Sequence, residues 1–230
     1  MLASLLISGL LSVSSLGAAH TEPLKLYDTL PSPLARPLHR TLGQGSSSQR
    51  VKDAQAKLVQ LKMLPPQYAD GFFNLQTEQA VRALQKASTR TEVDGRIGPT
   101  TWRALRFQKP LIGRWKDQPL RHAEVWLDRQ LLVLVSKGEV VKVVQVSTGQ
   151  PGLGTPAGTW QVQSQDADSY SVQYDAPMPW ASYYNGGYAI HQSDSVPEYP
   201  ASHGCTRVPA VFAKDVFQWL AIGTPVRIFA

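Results

Sequence analysis

The chain has little cysteine: Cys205 is the only one in 230 residues, so an internal disulfide is excluded. It also has no dense basic run, since 23 lysines and arginines are scattered against 17 acidic residues, for a formal net charge of +6. This pattern argues against nucleic acid as a partner and suits an anionic polymer. Stability must come from packing, and the thiol is either buried and inert or kept free for chemistry.

The sequence offers no convincing membrane span. The apolar stretch from Leu2 to Leu16 is too short to cross a bilayer, and small residues follow it at positions 17–19. We interpret residues 1–19 as a secretory signal, although no Lys or Arg precedes Lys25. A buried apolar helix is the alternative. The signal predicts export to the periplasm or cell wall, with no stable membrane span after cleavage.

A proline-rich lead-in segment, residues 20–45, precedes a pattern typical of helices. Ser46 and Gln49 have the spacing of a capping box. The apolar residues that follow recur on one helical face: Val51, Ala54, Leu58 and Leu61. The pattern therefore predicts a helix that begins near Ser46 and ends before the prolines at 65 and 66.

Two stretches then repeat one pattern, "DGFFNLQT" from Asp70 and "DGRIGPTT" from Asp94. Each has Asp-Gly, one residue, an apolar residue, three residues and a Thr. Asp-Gly favours a tight turn, because Gly accepts positive φ and Asp bonds back to the backbone. We expect the apolar residue, Phe73 or Ile97, to enter the core and the Thr to cap the next helix. Residues 46–106 are thus predicted to form a small all-α domain.

The sequence pattern changes from helical to strand-like after residues 107–120, a segment containing Pro and Gly that we interpret as a linker. The stretches "EVWLD", "LLVLVS" and "EVVKVVQVSTG" are rich in β-branched residues and are separated by short turns. A late helix is predicted from Pro209 to about Ile222, and "TPVRIF" closes the chain as a strand. Residues 121–230 are therefore expected to form a mainly β domain that folds without the helical one.

The surroundings of Cys205 indicate chemistry rather than core packing. It lies in "SHGCTR", a polar run that a core would not choose, and Gly204 before it allows a sharp turn. His191 lies 14 residues upstream at the end of an apolar strand. An imidazole can take the thiol proton and stabilise the thiolate as an ion pair, and amides at 203–205 can form an oxyanion hole. Arg207 can hold a substrate carboxylate.

A zinc site is the alternative, because His191, His203 and Cys205 are all competent ligands. Their spacing is unusual for zinc, and Asp194 is the one carboxylate evident nearby. We therefore expect neither a metal nor a cofactor.

Two family resemblances follow from these motifs. The double Asp-Gly pattern of residues 46–106 resembles a peptidoglycan-binding domain. "SHGCTR" with its upstream His resembles the signature of L,D-transpeptidases of the YkuD type, and "VSTG", "GTPAG", "NGGYAIH" and "GTPVRI" match the same family over residues 122–230. The resemblance implies a mainly β sandwich with one late helix, preceded by the small all-α domain.

The resemblance also implies roles for particular residues. Cys205 is the nucleophile and His191 the general base, oriented by a backbone carbonyl such as that of Gln192. His203 and Gly204 shape the turn and the oxyanion hole, with a proton-transfer role for His203 left open. Four further residues are expected to contact substrate or support the loop: Arg207, Ser202, Trp180 and Tyr184.

The function so implied is an exported peptidoglycan L,D-transpeptidase, acting as a monomer. It would form a cysteine acyl-enzyme with the stem peptide, release D-Ala and make 3→3 cross-links. Water as acceptor would make it an L,D-carboxypeptidase, and a protein acceptor would attach that protein to the wall. A non-catalytic peptidoglycan-binding protein is the alternative from a different class.

Overall fold

The computed structural model describes residues 41–89, 91–116 and 119–230; the predicted signal and residues 20–40 of the lead-in segment lie outside them. The described chain begins with three helices, α1 (Gln49–Gln60), α2 (Leu75–Ser88) and α3 (Pro99–Phe107), and a short 3-10 turn at Pro66–Tyr68. No helix in these ranges is both long enough and apolar enough to cross a membrane.

Strands and one helix make up the rest. The strands are β1 (Arg121–Trp126), β2 (Leu131–Ser136), β3 (Glu139–Gln145), β4 (Gly158–Gln161), β5 (Ser164–Asp166), β6 (Tyr170–Ser171), β7 (Ala176–Pro177), β8 (Ala181–Asn185), β9 (Tyr188–Ser193), β10 (Thr206–Pro209) and β11 (Pro225–Phe229). Helix α4 (Ala210–Trp219) lies between β10 and β11 and ends three residues before the predicted limit at Ile222.

The two Asp-Gly turns of the helical module are built alike. The carboxylate of Asp70 accepts the amide of Phe72 at 2.9 Å, and Gly71 has a φ of +91°. Phe73 and Ile97 are completely buried, as predicted. The apolar plug and the turn therefore follow directly from the repeated pattern.

A buried glutamine, which the sequence pattern does not indicate, forms hydrogen bonds with each turn. Gln55 accepts the Gly71 amide at 2.8 Å and donates to the Thr77 hydroxyl at 2.9 Å. Gln85 does the same in the second repeat, accepting the Gly95 amide at 2.9 Å and donating to the hydroxyl of Thr101 at 3.1 Å. The threonines therefore hydrogen-bond inside the module.

The predicted helix caps are corrected by this arrangement. Asn74, not Thr77, caps α2 by accepting the Thr77 amide at 2.9 Å, and Gly98 occupies the cap position of α3. Helix α1 is capped by Ser48, whose hydroxyl accepts the Val51 amide. Ser46 instead accepts the amide of Gly43, so the capping-box spacing was misleading.

The C-terminal module is a sandwich of two sheets. One sheet has the order β3-β2-β1-β11-β4 and the other β10-β9-β8-β5, while β6 and β7 form a separate hairpin. β1 pairs with β11 and β9 with β10 in parallel, and the remaining neighbours are antiparallel. A common apolar core lies between the sheets and extends to α4 through Phe212 and Val216.

Both faces of β2 are buried, which explains its continuous apolar sequence. Leu132 and Leu134 belong to the core of the sandwich. The alternate side chains of this sheet join the core of the helical module instead: Trp126, Leu131, Val133, Val135, Val140 and Val143. The helical module thus covers the sheet as a further layer, which argues against a C-terminal domain that folds alone.

The segment between the modules is anchored to β1. The completely buried carboxylate of Glu124 accepts the amides of Arg114 and Trp115, both at 2.9 Å. It also accepts the indole N–H of Trp126 at 2.7 Å and lies 3.0 Å from Nε2 of His122. These bonds satisfy a charge that would be costly to bury alone. The predicted linker is therefore a fixed part of the fold at residues 113–115.

Candidate active site

Strand register brings Cys205 and His191 to one edge of the smaller sheet. β9 and β10 run parallel with Thr206 opposite Ile190 and Arg207 opposite His191. Cys205 directly precedes β10, and its thiol lies 3.8 Å from the carbonyl oxygen of Gly187, just before β9. His191 on β9 and Cys205, directly before β10, thus belong to adjacent parallel strands.

The imidazole of His191 is held in one orientation. Its Nδ1 lies 2.6 Å from the backbone carbonyl oxygen of Gln192, as the family resemblance implies. A carbonyl can only accept, so Nδ1 carries the hydrogen and Nε2 of the neutral ring is left free to accept a proton. This is the tautomer that a general base requires.

Burial shifts the pKa values of both groups in the directions that favour their neutral forms. It lowers the pKa of His191 to about 4, with Arg207 acting in the same direction and the Gln192 carbonyl opposing it. Burial likewise raises the pKa of Cys205, against smaller effects of the Ala189 amide and Arg207. Both directions favour a neutral thiol and imidazole. Both directions oppose the thiolate–imidazolium pair expected from the sequence.

Ser202 and Thr155 shape the turn that presents the thiol. The Ser202 hydroxyl donates to the carbonyl of Cys205 at 2.6 Å and accepts the amide of Gly204 at 3.0 Å. The Thr155 hydroxyl donates to the carbonyl of Gly204 at 2.6 Å. Ser202 is only 2% exposed. It is therefore a buried brace of the loop, which agrees with the loop-supporting part of its expected role, and its burial argues against direct contact with substrate.

Gly204 has no room for a side chain. A Cβ there would lie 2.4 Å from Cε1 of Tyr188, and its φ of +120° is one that L-residues rarely adopt. The glycine before the cysteine is thus required by both conformation and packing.

The amides of the turn are not equally free. Ser202 uses the Gly204 amide, so that amide is not available to an oxyanion. Within the described ranges, the amides of His203 and Cys205 have no hydrogen-bond partner. The expected oxyanion hole is therefore narrowed from three amides to these two.

His203 lies at the exposed rim of the site. Its ring stacks on Tyr174 of the β6–β7 hairpin, with centroids 4.2 Å apart and planes 12° from parallel. This contact joins the hairpin to the cysteine loop. It supports a role for His203 in shaping the rim, whereas nothing in its contacts places it on the thiol.

Arg207 keeps its expected position beside the reactive groups. It lowers the pKa of both His191 and Cys205 through its charge. In the described part of the chain, its guanidinium has no ion-pair or hydrogen-bond partner. It can therefore meet an anionic group of a substrate.

The two aromatic residues expected at the cleft differ in exposure: Tyr184 is buried and Trp180 is half-buried. Tyr184 is completely buried in the sandwich core, so its predicted contact with substrate is wrong for this structure. Trp180 packs edge-on against Phe217 of α4 at 5.4 Å, with Lys214 over its ring. Tyr184 thus fills the core, as aromatic strand residues commonly do, whereas Trp180 packs at its margin.

Supporting residues that sequence reasoning missed connect this site to the larger sheet. Gln130, at a turn with φ of +52°, donates to the hydroxyl of Thr148 and accepts its amide, both at 2.7 Å. The Thr148 carbonyl in turn accepts the amides of Ala201 and Ser202. "VSTG" marked Thr148 as part of a motif, whereas Gln130 gave no signal beyond a turn.

Groups that could hold a metal are sparse. Among residues 41–89, 91–116 and 119–230, no three His, Cys, Asp or Glu side chains are close enough to hold a metal ion.

Comparison with known proteins agrees with this architecture. Residues 121–228 match the model of the YkuD L,D-transpeptidase catalytic domain, and residues 47–105 match that of a peptidoglycan binding domain. The crystal structure of the L,D-transpeptidase from Xylanimonas cellulosilytica has a TM-score of 0.75 and 32% identity, covering 84% of this chain and 99% of that one. The chain belongs to the L,D-transpeptidase family and carries a peptidoglycan binding domain.

Two further relatives are more distant. The L,D-transpeptidase structure from Stackebrandtia nassauensis has a TM-score of 0.52 and 23% identity over 82% of this chain and 95% of that one, and so supports the fold alone. The N-acetylmuramoyl-L-alanine amidase CwlL from Bacillus licheniformis is 40% identical over 79 residues, 34% of this chain. The match covers only 21% of that amidase.

Proposed function

We propose that this protein is an exported peptidoglycan L,D-transpeptidase that works through a cysteine acyl-enzyme. The carrying observation is the buried His191, whose Nδ1 is bound to the Gln192 carbonyl and whose Nε2 is left as a base beside the strand that follows Cys205. Membership of the L,D-transpeptidase family supports the choice of reaction.

Acylation begins from the neutral pair. As the Cys205 sulfur attacks the carbonyl carbon of the third stem residue, at its L-centre, the thiol proton passes to His191. The amides of His203 and Cys205 donate to the oxyanion that forms. The tetrahedral species collapses to a thioester, its C–N bond breaks, and His191 returns the proton to the nitrogen of the departing D-Ala.

Transfer of the acyl group reverses these roles. A side-chain amine of another stem gives a proton to His191 and attacks the thioester carbon. The C–S bond breaks, and the cysteine sulfur takes the proton back, leaving a 3→3 cross-link. Arg207 supplies a fixed positive charge for a carboxylate of the donor. With water or a protein amine as acceptor, the same acyl-enzyme makes a carboxypeptidase or a wall-attachment enzyme.

Formation of the acyl-enzyme is tested by intact-mass spectrometry after mixing the protein with a soluble stem tetrapeptide ending in D-Ala. We expect an adduct that lacks D-Ala on the wild type and none on Cys205→Ser. His203→Ala, which keeps both reacting groups, should still form it. Absence of an adduct and of any product on the wild type would favour the alternative, a non-catalytic wall-binding protein.

The helical module is proposed to bind peptidoglycan and so to bring the enzyme to its substrate. Co-sedimentation with insoluble sacculi tests this role. Mass spectrometry of the muropeptides formed distinguishes cross-links from trimmed stems, and thereby identifies the acceptor.

A further inference from the structure

A lysine from the helical module is buried beneath the cysteine loop. Lys86, on α2, is 6% exposed, and its ammonium donates to three oxygens. These are Oε1 of Gln145 at 2.6 Å, the carbonyl of Val146 at 2.7 Å and the carbonyl of Pro197 at 3.3 Å. All three donors of the ammonium are therefore used, and each acceptor belongs to the C-terminal module.

The acceptors lie directly beside the segments that hold Cys205. Pro197 is in the loop of residues 194–201, which joins β9 to the cysteine turn. Val146 precedes Ser147, whose hydroxyl donates to the Tyr199 carbonyl at 2.7 Å. Ser147 also exchanges two backbone hydrogen bonds with Arg207, at 2.9 and 3.1 Å. Lys86 is thus linked through Val146 and Ser147 to Arg207, on the strand that follows Cys205.

The side chain of Gln145 also links helix α2 to the loop of residues 194–201. Its amide donates to Oε1 of Gln79 on α2 at 2.7 Å and lies 3.4 Å from the carbonyl of Val196. The loop therefore meets the helical module through Lys86 and through Gln145.

Stability alone does not account for an ammonium at this place. Within the described residues no carboxylate lies within ion-pair distance of Lys86. Burial, with the charge of Arg82, lowers its pKa to about 7, while Glu198 acts in the opposite direction. An apolar side chain of similar length would avoid this desolvation. However, an apolar side chain would leave the three oxygens, two at positions 145–146 and one at position 197, without a hydrogen-bond donor.

We propose that Lys86 is a positioning residue of the active site, which holds the 194–201 loop and the end of β3 and so fixes the cysteine turn for acyl transfer. The proposal rests on the function proposed above. The peptidoglycan binding module thereby supports the catalytic geometry as well as capturing substrate.

The test compares Lys86→Met with Arg129→Met. Arg129 also crosses between the modules, donating to the Ala87 carbonyl at 2.9 Å, but it does not touch the 194–201 loop. For Lys86→Met we expect kcat on a soluble stem tetrapeptide to fall about tenfold, because displacements near 1 Å in a site can cost on the order of 100-fold. KM should change less than about twofold. The midpoint of urea unfolding should fall, because three buried oxygens lose their donor even though a buried charge is removed with it; both variants are therefore assayed without urea, after circular dichroism shows that they are folded.

Hydrogen–deuterium exchange gives a reading independent of turnover. The amides of Ala201 and Ser202, which donate to the Thr148 carbonyl, should exchange about tenfold faster in Lys86→Met and at the wild-type rate in Arg129→Met. If wild-type protein does not turn over the peptide, the proposed function fails while the exchange rates still decide the role of Lys86.

Unchanged exchange and kcat in Lys86→Met would overturn the proposal. So would equal losses in both variants, because they would indicate general loosening of the modules. Should Lys86→Met not fold, Gln145→Leu takes its place: it removes one acceptor and the contact with Val196, and about a threefold loss of kcat is expected. A folded Gln145→Leu with wild-type kcat and exchange would equally refute the role.

Discussion

Replacing His191 by Asn would test whether the catalytic pair is neutral at rest. The amide nitrogen of Asn lies near the position of the imidazole Nδ1, so it can still donate to the Gln192 carbonyl. The Asn side chain itself does not titrate between pH 4 and 7. It therefore removes the base while keeping the buried hydrogen bond.

The size of the effect follows from the pKa of His191, which burial lowers from 6.5 in the unfolded chain to about 4. Between these values the unfolded chain binds the proton and the folded protein does not, so stability rises with pH. The contribution is fully present above pH 6.5 and is lost as the pH falls through 4. The gap corresponds to about 3 kcal/mol.

Urea unfolding at pH 7, 5.5 and 4 measures this loss. Carboxylates that destabilise the protein in acid are common to wild type and His191→Asn, so the difference between the two pH dependences isolates the imidazole. We expect wild type to lose about 3 kcal/mol more than the variant between pH 7 and 4. Parallel losses would refute a buried neutral His191.

The same variant tests the state of the thiol. Because burial raises the pKa of Cys205, alkylation by iodoacetamide should be slower than for a free thiol at pH 7 and should keep rising with pH above 8.5. His191→Asn should leave this profile nearly unchanged but lower acyl transfer by a factor of about 100 to 10,000, as loss of a general base does. A reactive plateau below pH 7 in the wild type, absent from the variant, would show an ion pair instead.

Three further outcomes follow from packing and one from chemistry. Gly204→Ala should abolish acyl transfer, because its backbone conformation costs an L-residue about 1–3 kcal/mol. Gly154→Ala, whose added Cβ has nothing within 4 Å, should stay active. Equal turnover by the two variants would contradict the packing argument. Gln55→Leu and Gln85→Leu should each lower the free energy of unfolding by about 1–3 kcal/mol per unsatisfied group, measured in urea. Deleting residues 20–110 should give an aggregating fragment by size-exclusion chromatography; a monomeric, active fragment would refute the shared core. EDTA should leave activity unchanged, and inhibition reversed by zinc would contradict thiol chemistry.

The sequence predicts short-range features of this protein well. The Asp-Gly turns and their apolar plugs at Phe73 and Ile97 are found as the repeated pattern predicts. The Gln192 carbonyl lies behind His191, as the family resemblance implies. Each depends on residues a few positions apart, whose geometry is set by local backbone chemistry. The assignments of Cys205 and His191 to catalysis stay predictions that the experiments above address.

Features that depend on partners far along the chain were missed. Gln55 bonds to groups 15 to 22 residues away, and a polar helical residue gives no sign of such burial. Lys86 bonds 59 to 111 residues away. Tyr184 was expected to contact substrate and Ser202 to support the loop or the substrate, and both side chains are buried. Proximity in sequence to a reactive group does not reveal which way a side chain points.

Because both faces of strand β2 are buried, the two modules pack together as one unit, unlike two domains joined by a flexible linker. A five-stranded sheet with an apolar outer face must be covered, and the helical module covers it. Between them, the amides of Arg114 and Trp115 are bound to the Glu124 carboxylate. With a flexible linker, the distance between a bound glycan and the thiol would vary widely. A fixed module keeps that distance constant. Peptidoglycan held by the helical module would therefore present only those stems that lie at a set distance from Cys205.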